Sequence, residues 1–335
     1  MGSHSPSLDE LREMVDEDLM GFLDGVLKAT PESGLLVGEI QELLRAGGKR
    51  LRPAFAYWGF RAQGPDHCEE IVRAAASLEL LHSFALVHDD IMDRSTERRG
   101  RPSAWHGHGA DAALLVGDLA VVLADEMLMT SGFDSDVLHR VFKPYSRMRR
   151  EVIVGQFAEL ELTTRTEVEE DEVRHVARMK SGRYSVREPL LIGVALAGGE
   201  ERDDLTEFGE CVGEAFQIRD DLLGTFGSVD DTGKPTDSDI RIGKRNILFA
   251  LTVSRLSGSD RTFFLKKWGG GSELLPDDVD RIRELVSSSG AVDRADDLVS
   301  DLVRRALAAL DTAGLEDAPH AALLELSDLA TARSR

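Results

Sequence analysis

The stretch LVHDDIMDRSTERRGRP (86–102) sets carboxylates at Asp89, Asp90 and Asp93 close to a pair of guanidinium groups, Arg98 and Arg99. Asp89 and Asp93 are four residues apart, so a helix presents both from one face, one turn separated. Mg²⁺ takes carboxylate oxygens and completes its octahedron with water and substrate phosphates. Two acids one turn apart can therefore share an ion that a phosphorylated ligand finishes coordinating, with Asp90 beside them at an angle. A second acidic pair, Asp220 and Asp221, ends the apolar run GEAFQIRDD, but the residue one turn on is Gly224, so no third acid follows. A solvated salt-bridge cluster would use the same residue types. Position weighs against it, because LELLHSFALV, which reads as core helix, leads into the first acids. Two acid pairs that each end an apolar helix resemble facing walls of one cavity.

An anionic ligand also needs cations, and here they must be clustered locally. The net charge of -21 argues against general affinity for nucleic acid or anionic membrane. AGGKRLRP (46–53) offers Lys49, Arg50 and Arg52 on a glycine-opened turn, where backbone can approach a phosphate closely. RRGRP supplies Arg98 and Arg99, whose forked donors fit phosphate oxygens. RMKSGR places Lys180 beside Ser181, and GKPTDSDIRIGKR adds Lys234 and Lys244.

The elements that must hold these residues are helices. SLDELREMVDEDLMGFLDGVL opens with a capping-box pattern, Ser7 to Glu10, and then spaces its apolar residues by three and four. The segment DHCEEIVRAAASLELLHSFALVHDDIMD contains neither Gly nor Pro. Further helices are expected over roughly 109–131, 135–163, 168–197 and 203–226. Strand alternation with hairpin signals is scarce. The expectation is an all-α, single-domain bundle spanning 1–335, of roughly ten or more helices around a central cavity. Residues 1–6 are expected to be disordered or vector-derived. Only two cysteines, Cys68 and Cys211, are present, without metal-ligand spacing, which implies a reduced, cytoplasmic protein. No signal-peptide core opens the chain and no uninterrupted apolar run reaches spanning length, so no integral membrane association is expected.

The ordered set GGKRLRP, DDIMD, RRGRP, KSG, FQIRDD and GKPTDSD…GKR resembles the trans-isoprenyl diphosphate (polyprenyl) synthases. That resemblance implies the isoprenoid synthase fold, a homodimer, and head-to-tail condensation of isopentenyl diphosphate with dimethylallyl, geranyl or farnesyl diphosphate. It implies that Lys49, Arg52, His82 and Arg99 bind isopentenyl diphosphate. Asp89, Asp90 and Asp93, with Asp220 and Asp221, would ligate about three Mg²⁺ ions that hold the allylic diphosphate. Arg98, Lys180, Ser181, Gln217, Lys234 and Lys244 would serve that same substrate. Asp89, Asp90, Asp93, Asp220 and Lys180 would act in catalysis, where charge on the departing diphosphate must be offset as an allylic cation forms. Two departures stand out: Gly224 replaces a third Asp, and Glu159 in GQFAEL stands where relatives commonly carry Asp.

Product length should depend on what lies one helical turn, about 5.4 Å, below the first acid. Phe84 is at that depth, Ala85 beside it is small, and Leu81 and Leu78 come next. In the resembling family an aromatic followed by a small residue there goes with C20 products, which implies geranylgeranyl diphosphate. The alternatives are a farnesyl or longer polyprenyl diphosphate synthase, a terpene cyclase of related fold, and a di-iron carboxylate bundle. The last rests on two Glu-x-x-His matches, Glu79–His82 and Glu172–His175.

Overall fold

The computed structural model describes residues 5–227 and 237–332. Among these it is helical almost throughout, with one two-stranded antiparallel ribbon, as the all-α expectation requires. The chain divides into two compact units, one of Met1–Tyr145, Pro189–Arg202 and Gly314–Leu326, the other of Ser146–Glu188, Asp203–Ala313 and Ser327–Arg335.

The first unit holds α1 (Leu8–Ala29), α2 (Gly34–Arg45), α3 (Leu51–Arg61), α4 (Glu69–Asp93), α5 (Ala104–His108) and α6 (Ala110–Met129). The capping box forms as the sequence implies: the Ser7 amide donates to Glu10 Oε2 at 2.8 Å and the Glu10 amide to Ser7 Oγ at 3.3 Å. Leu11, Val15, Leu19 and Leu23 then bury one stripe of α1. Of the expected disordered residues, 1–4 lie outside the described residues, while Pro6 is buried. By length and composition α4 could cross a membrane, but 67% of its apolar window lies inside the protein, which makes it a core helix. It ends at Asp93, where Arg94 turns into the left-handed region at φ 52°.

Between α4 and α5 runs a short ribbon, β1 (Glu97–Arg98) and β2 (Arg101–Pro102), with Arg98 paired to Arg101. Arg99 (φ 52°) and Gly100 (φ 72°) close it, the positive-φ pair of a type I′ turn. Two-residue strands are too short to leave an alternating pattern, so sequence reasoning passed over this ribbon.

The second unit takes most of α7 (Ser135–Thr163), then α8 (Glu170–Ala177), α10 (Asp203–Phe226), α11 (Ser238–Ile242), α12 (Ile247–Val253), α13 (Gly258–Lys267), α14 (Pro276–Ser288) and α15 (Ala291–Thr312). The expected single helix over 168–197 is interrupted: a π-helical segment, Arg178–Arg187, joins α8 to α9 (Glu188–Leu196). π turns are rare and cluster at functional sites. This one is pinned from α10 and α9 by ion pairs. Arg183 donates to both oxygens of Glu210 at 2.9 and 3.0 Å, and Arg187 reaches Glu210 at 3.0 Å and the buried Glu188 at 2.8 Å. A last helix, α16 (Asp317–Thr331), follows.

Candidate active site

In the first unit the basic turn is built on a strained residue. Arg50 adopts φ 49°, a left-handed conformation that costs roughly 1–2 kcal/mol outside glycine. Its guanidinium holds the turn in place, donating to Asp16 Oδ1 at 2.7 Å, Glu79 Oε2 at 3.1 Å and the Leu44 carbonyl at 2.7 Å. Arg50 is therefore buried support, whereas Lys49 is exposed and Arg52, on the first turn of α3, is partly exposed. The ribbon meets this turn. Arg99 Nη2 lies 3.2 Å from where a Cβ on Gly48 would stand, and Arg99 Nη1 donates to the Leu43 carbonyl at 2.9 Å.

His82, on α4, faces the same cations. Burial, then Arg52, Arg99, Arg98 and Arg50, hold its pKa well below the ordinary 6.5, so the ring is neutral at pH 7. Burial, with Arg50, Arg98 and Arg52 opposing Glu79, lowers Arg99 to about 10. Arg99, its charged form disfavoured by burial and neighbouring cations beside a neutral imidazole, is a group that a bound anion would stabilise.

The three acids of α4 are not equivalent. Asp89 and Asp93 are partly exposed, whereas Asp90 is buried. Arg98 Nε forks onto both Asp90 oxygens at 3.0 and 3.1 Å, and its Nη2 also reaches Asp90. The same Nη2 stands 3.5 Å from Asp89 Oδ2. Arg98 and Asp90 thus tie the ribbon to α4. Deeper along that helix Leu81 and Leu78 are fully buried, Phe84 and Ala85 half-buried.

In the second unit Lys180 and Ser181 sit on the π segment, and Lys180 Nζ pairs with Glu159 of α7. Gly155, one turn before Glu159, makes room, since a Cβ there would stand 2.5 Å from the Lys180 amide nitrogen. The longer acid at position 159 therefore reaches a cation of the candidate site. On α10, Asp220 is exposed and Asp221 buried. Gln217 Nε2 donates to Asp221 Oδ1 at 2.7 Å, and the Ile247 amide to Oδ2 at 3.5 Å. Burial and then the neighbouring Asp239 push the Asp221 pKa well above its ordinary value.

Asp239, on α11, is the residue that sequence reasoning missed. A Cβ on Gly224 would stand 2.5 Å from Asp239 Oδ2 and 2.8 Å from its Cγ. The volume of the absent third acid is thus filled by a carboxylate from another helix. Lys244 Nζ is 3.8 Å from Asp239 Oδ1, and Asn246 Nδ2 donates to Oδ2 at 3.4 Å. The signal was present in GKPTDSDIRIGKR, where only the lysines were singled out. Lys234 lies outside the described residues.

Among the described residues no three His, Cys, Asp or Glu side chains converge into a closed cage. That is poor for a di-iron centre, and both Glu-x-x-His acids are engaged elsewhere, Glu79 by Arg50 and Glu172 by Arg165. Mg²⁺ differs in its demands, taking one or two carboxylates and completing its shell with water and phosphate. In the first unit Asp89 and Asp93 are partly exposed acids, and in the second Asp220 is an exposed one.

Comparison with known proteins agrees. The polyprenyl synthetase family model matches residues 34–286. The chain is similar to geranylfarnesyl diphosphate synthase of Aeropyrum pernix, 32% identical over 318 residues covering 93% of this chain and 96% of that protein. It is similar to (2E,6E)-farnesyl diphosphate synthase of Mycobacterium bovis, 34% identical and covering 84% and 78%. Its fold matches the crystal structure of geranylgeranyl pyrophosphate synthase from Corynebacterium glutamicum, complexed with isoprenyl diphosphate and magnesium. There the TM-score is 0.93 at 34% identity, over 98% and 100% of the chains. The chain belongs to the polyprenyl synthetase family, and is a trans-prenyltransferase that joins isoprenyl diphosphates head to tail.

Proposed function

We propose that this enzyme extends an allylic primer with isopentenyl diphosphate as far as geranylgeranyl diphosphate, C20. The observation that carries the reading is in α4 and its surroundings: a cation set of Arg52 and Arg99 around neutral His82, on the helix that ends in Asp89 and Asp93. Lys49, Arg52 and Arg99 hold the diphosphate of isopentenyl diphosphate, and the His82 ring donates to it without adding charge. Asp89, Asp93 and Asp220 are the metal ligands, while Asp90 and Asp221, already engaged, hold Arg98 and the start of α12 in place. Those carboxylates would hold Mg²⁺, which when bound would supply positive charge to offset that on the departing allylic diphosphate. Lys180 and Lys244 donate to that same leaving group, with Ser181 and Gln217 lining the reacting end. Lys180 exchanges Glu159 for a phosphate oxygen when substrate arrives. The isopentenyl double bond then attacks the allylic cation, and loss of a proton completes the longer chain.

Phe84 sets the length, as an aromatic side chain on α4 above the buried Leu81 and Leu78. Phe84→Ala should extend the product beyond C20, read by sizing labelled products from a farnesyl primer. An unchanged size would move the floor to Leu81 or Leu78. The proposal includes a homodimer. Leu115, Val122 and Met129 recur every seventh residue along α6 and are 55%, 58% and 59% exposed, an apolar stripe that a second copy would cover. Sedimentation at twice the chain mass is expected; a monomer at assay concentration contradicts the homodimer.

A further inference from the structure

The half-buried Phe84 does not stand alone. Its ring meets the His88 ring edge-on, with centroids 4.9 Å apart and planes at 68°. His88 lies one turn further along α4, and its Nε2 is 3.2 Å from the Leu114 carbonyl of α6. That approach exists because position 117 is glycine. A Cβ on Gly117 would stand 2.2 Å from His88 Nε2 and 2.3 Å from its Cδ2, inside any real contact. The imidazole therefore occupies the notch that Gly117 leaves in α6, anchored at one end by a backbone carbonyl. Its other edge is presented to Phe84. Asp118 Oδ1, at 3.8 Å, is the charged group beside the ring.

We propose that His88 and Gly117 are positioning residues for product length: Gly117 seats the His88 ring on α6, and His88 braces Phe84 in the rotamer that stops chain growth. The inference rests on the reading of Phe84 as the floor. A phenylalanine free to turn about its first side-chain torsion would yield to a growing prenyl tail, whereas one held by an edge contact resists it. Neither His88 nor Gly117 has to touch substrate for this.

Two variants act on the brace from opposite ends. Gly117→Ala unseats the ring through the flexible end of a side chain, in a helix interior where alanine is the better helix former, so the fold is kept. His88→Ala removes the ring outright. Each should raise the ratio of longer products to C20 by roughly twofold to tenfold, the scale of one aromatic edge contact. The distinguishing readout is non-additivity. In a Phe84→Ala background, adding His88→Ala should leave the product distribution as it is, because nothing remains to brace. The brace is overturned if Phe84→Ala lengthens the product while both other variants give the wild-type distribution, or if their effects add fully to that of Phe84→Ala. If Phe84→Ala itself changes nothing, the reading of the floor fails first and the brace goes with it.

Discussion

Asp89→Asn is expected to cut turnover by on the order of 10²- to 10³-fold, the loss seen when one preorganised stabiliser of transition-state charge is removed. The substitution keeps the shape of the side chain and removes only its charge. Arg98 Nη2 stands 3.5 Å from Asp89 Oδ2, and that guanidinium is held chiefly by Asp90. Thermal stability should therefore stay near that of the wild type while the Mg²⁺ requirement rises. Asp90→Asn should show the reverse emphasis. It weakens the charge-assisted fork that ties Arg98 to α4, so the ribbon bearing Arg99 loosens. Steady-state turnover and Mg²⁺ titrations on the two variants separate these roles. Full turnover with Asp89→Asn at the wild-type Mg²⁺ requirement would contradict the assignment of this carboxylate.

The largest stability effect is expected at Arg50. Arg50→Ala removes the cation from a buried pair in which both side chains are 3% exposed, leaving Glu79 charged without its partner. Breaking such a pair from one side typically costs about 3–5 kcal/mol, mostly through the stranded charge. The second partner, Asp16, is 42% exposed and is solvated by water once released. The double change Arg50→Met with Glu79→Leu should therefore be less destabilising than Arg50→Ala alone, because no buried charge is left. Urea unfolding of the three proteins checks the order. Equal losses would mean that the pair is not what holds the turn. Isopentenyl diphosphate binding should weaken with Arg50→Ala as well, since Lys49 and Arg52 flank the residue that fixes their backbone.

Much of this is legible in the sequence. The acids of α4 end a Gly- and Pro-free helix as the spacing implied, and the capping box of α1 formed from its two named residues. What could not be read was pre-engagement. Asp89 and Asp90 are adjacent and identical in type, yet Arg98 from the ribbon forks onto the buried Asp90 and only approaches the partly exposed Asp89. Likewise nothing in FQIRDD distinguishes the exposed Asp220 from Asp221, which holds Gln217 and the start of α12. Gly224 read as a missing acid. Only the fold shows that Asp239, fifteen positions later in number, fills that volume. These are tertiary facts, set by which helices lie side by side. The π segment belongs with them, because nothing in RMKSGRYSVR marks a change of helical register, and the carboxylates that hold it, Glu188 and Glu210, come from α9 and α10.

Whether this chain joins isopentenyl diphosphate to an allylic diphosphate is tested by supplying labelled isopentenyl diphosphate with dimethylallyl, geranyl and farnesyl diphosphates, with and without Mg²⁺. The expected result is Mg²⁺-dependent incorporation of label, ending at C20. No incorporation with any primer would contradict it, as would a cyclic hydrocarbon formed from the allylic diphosphate with isopentenyl diphosphate left out.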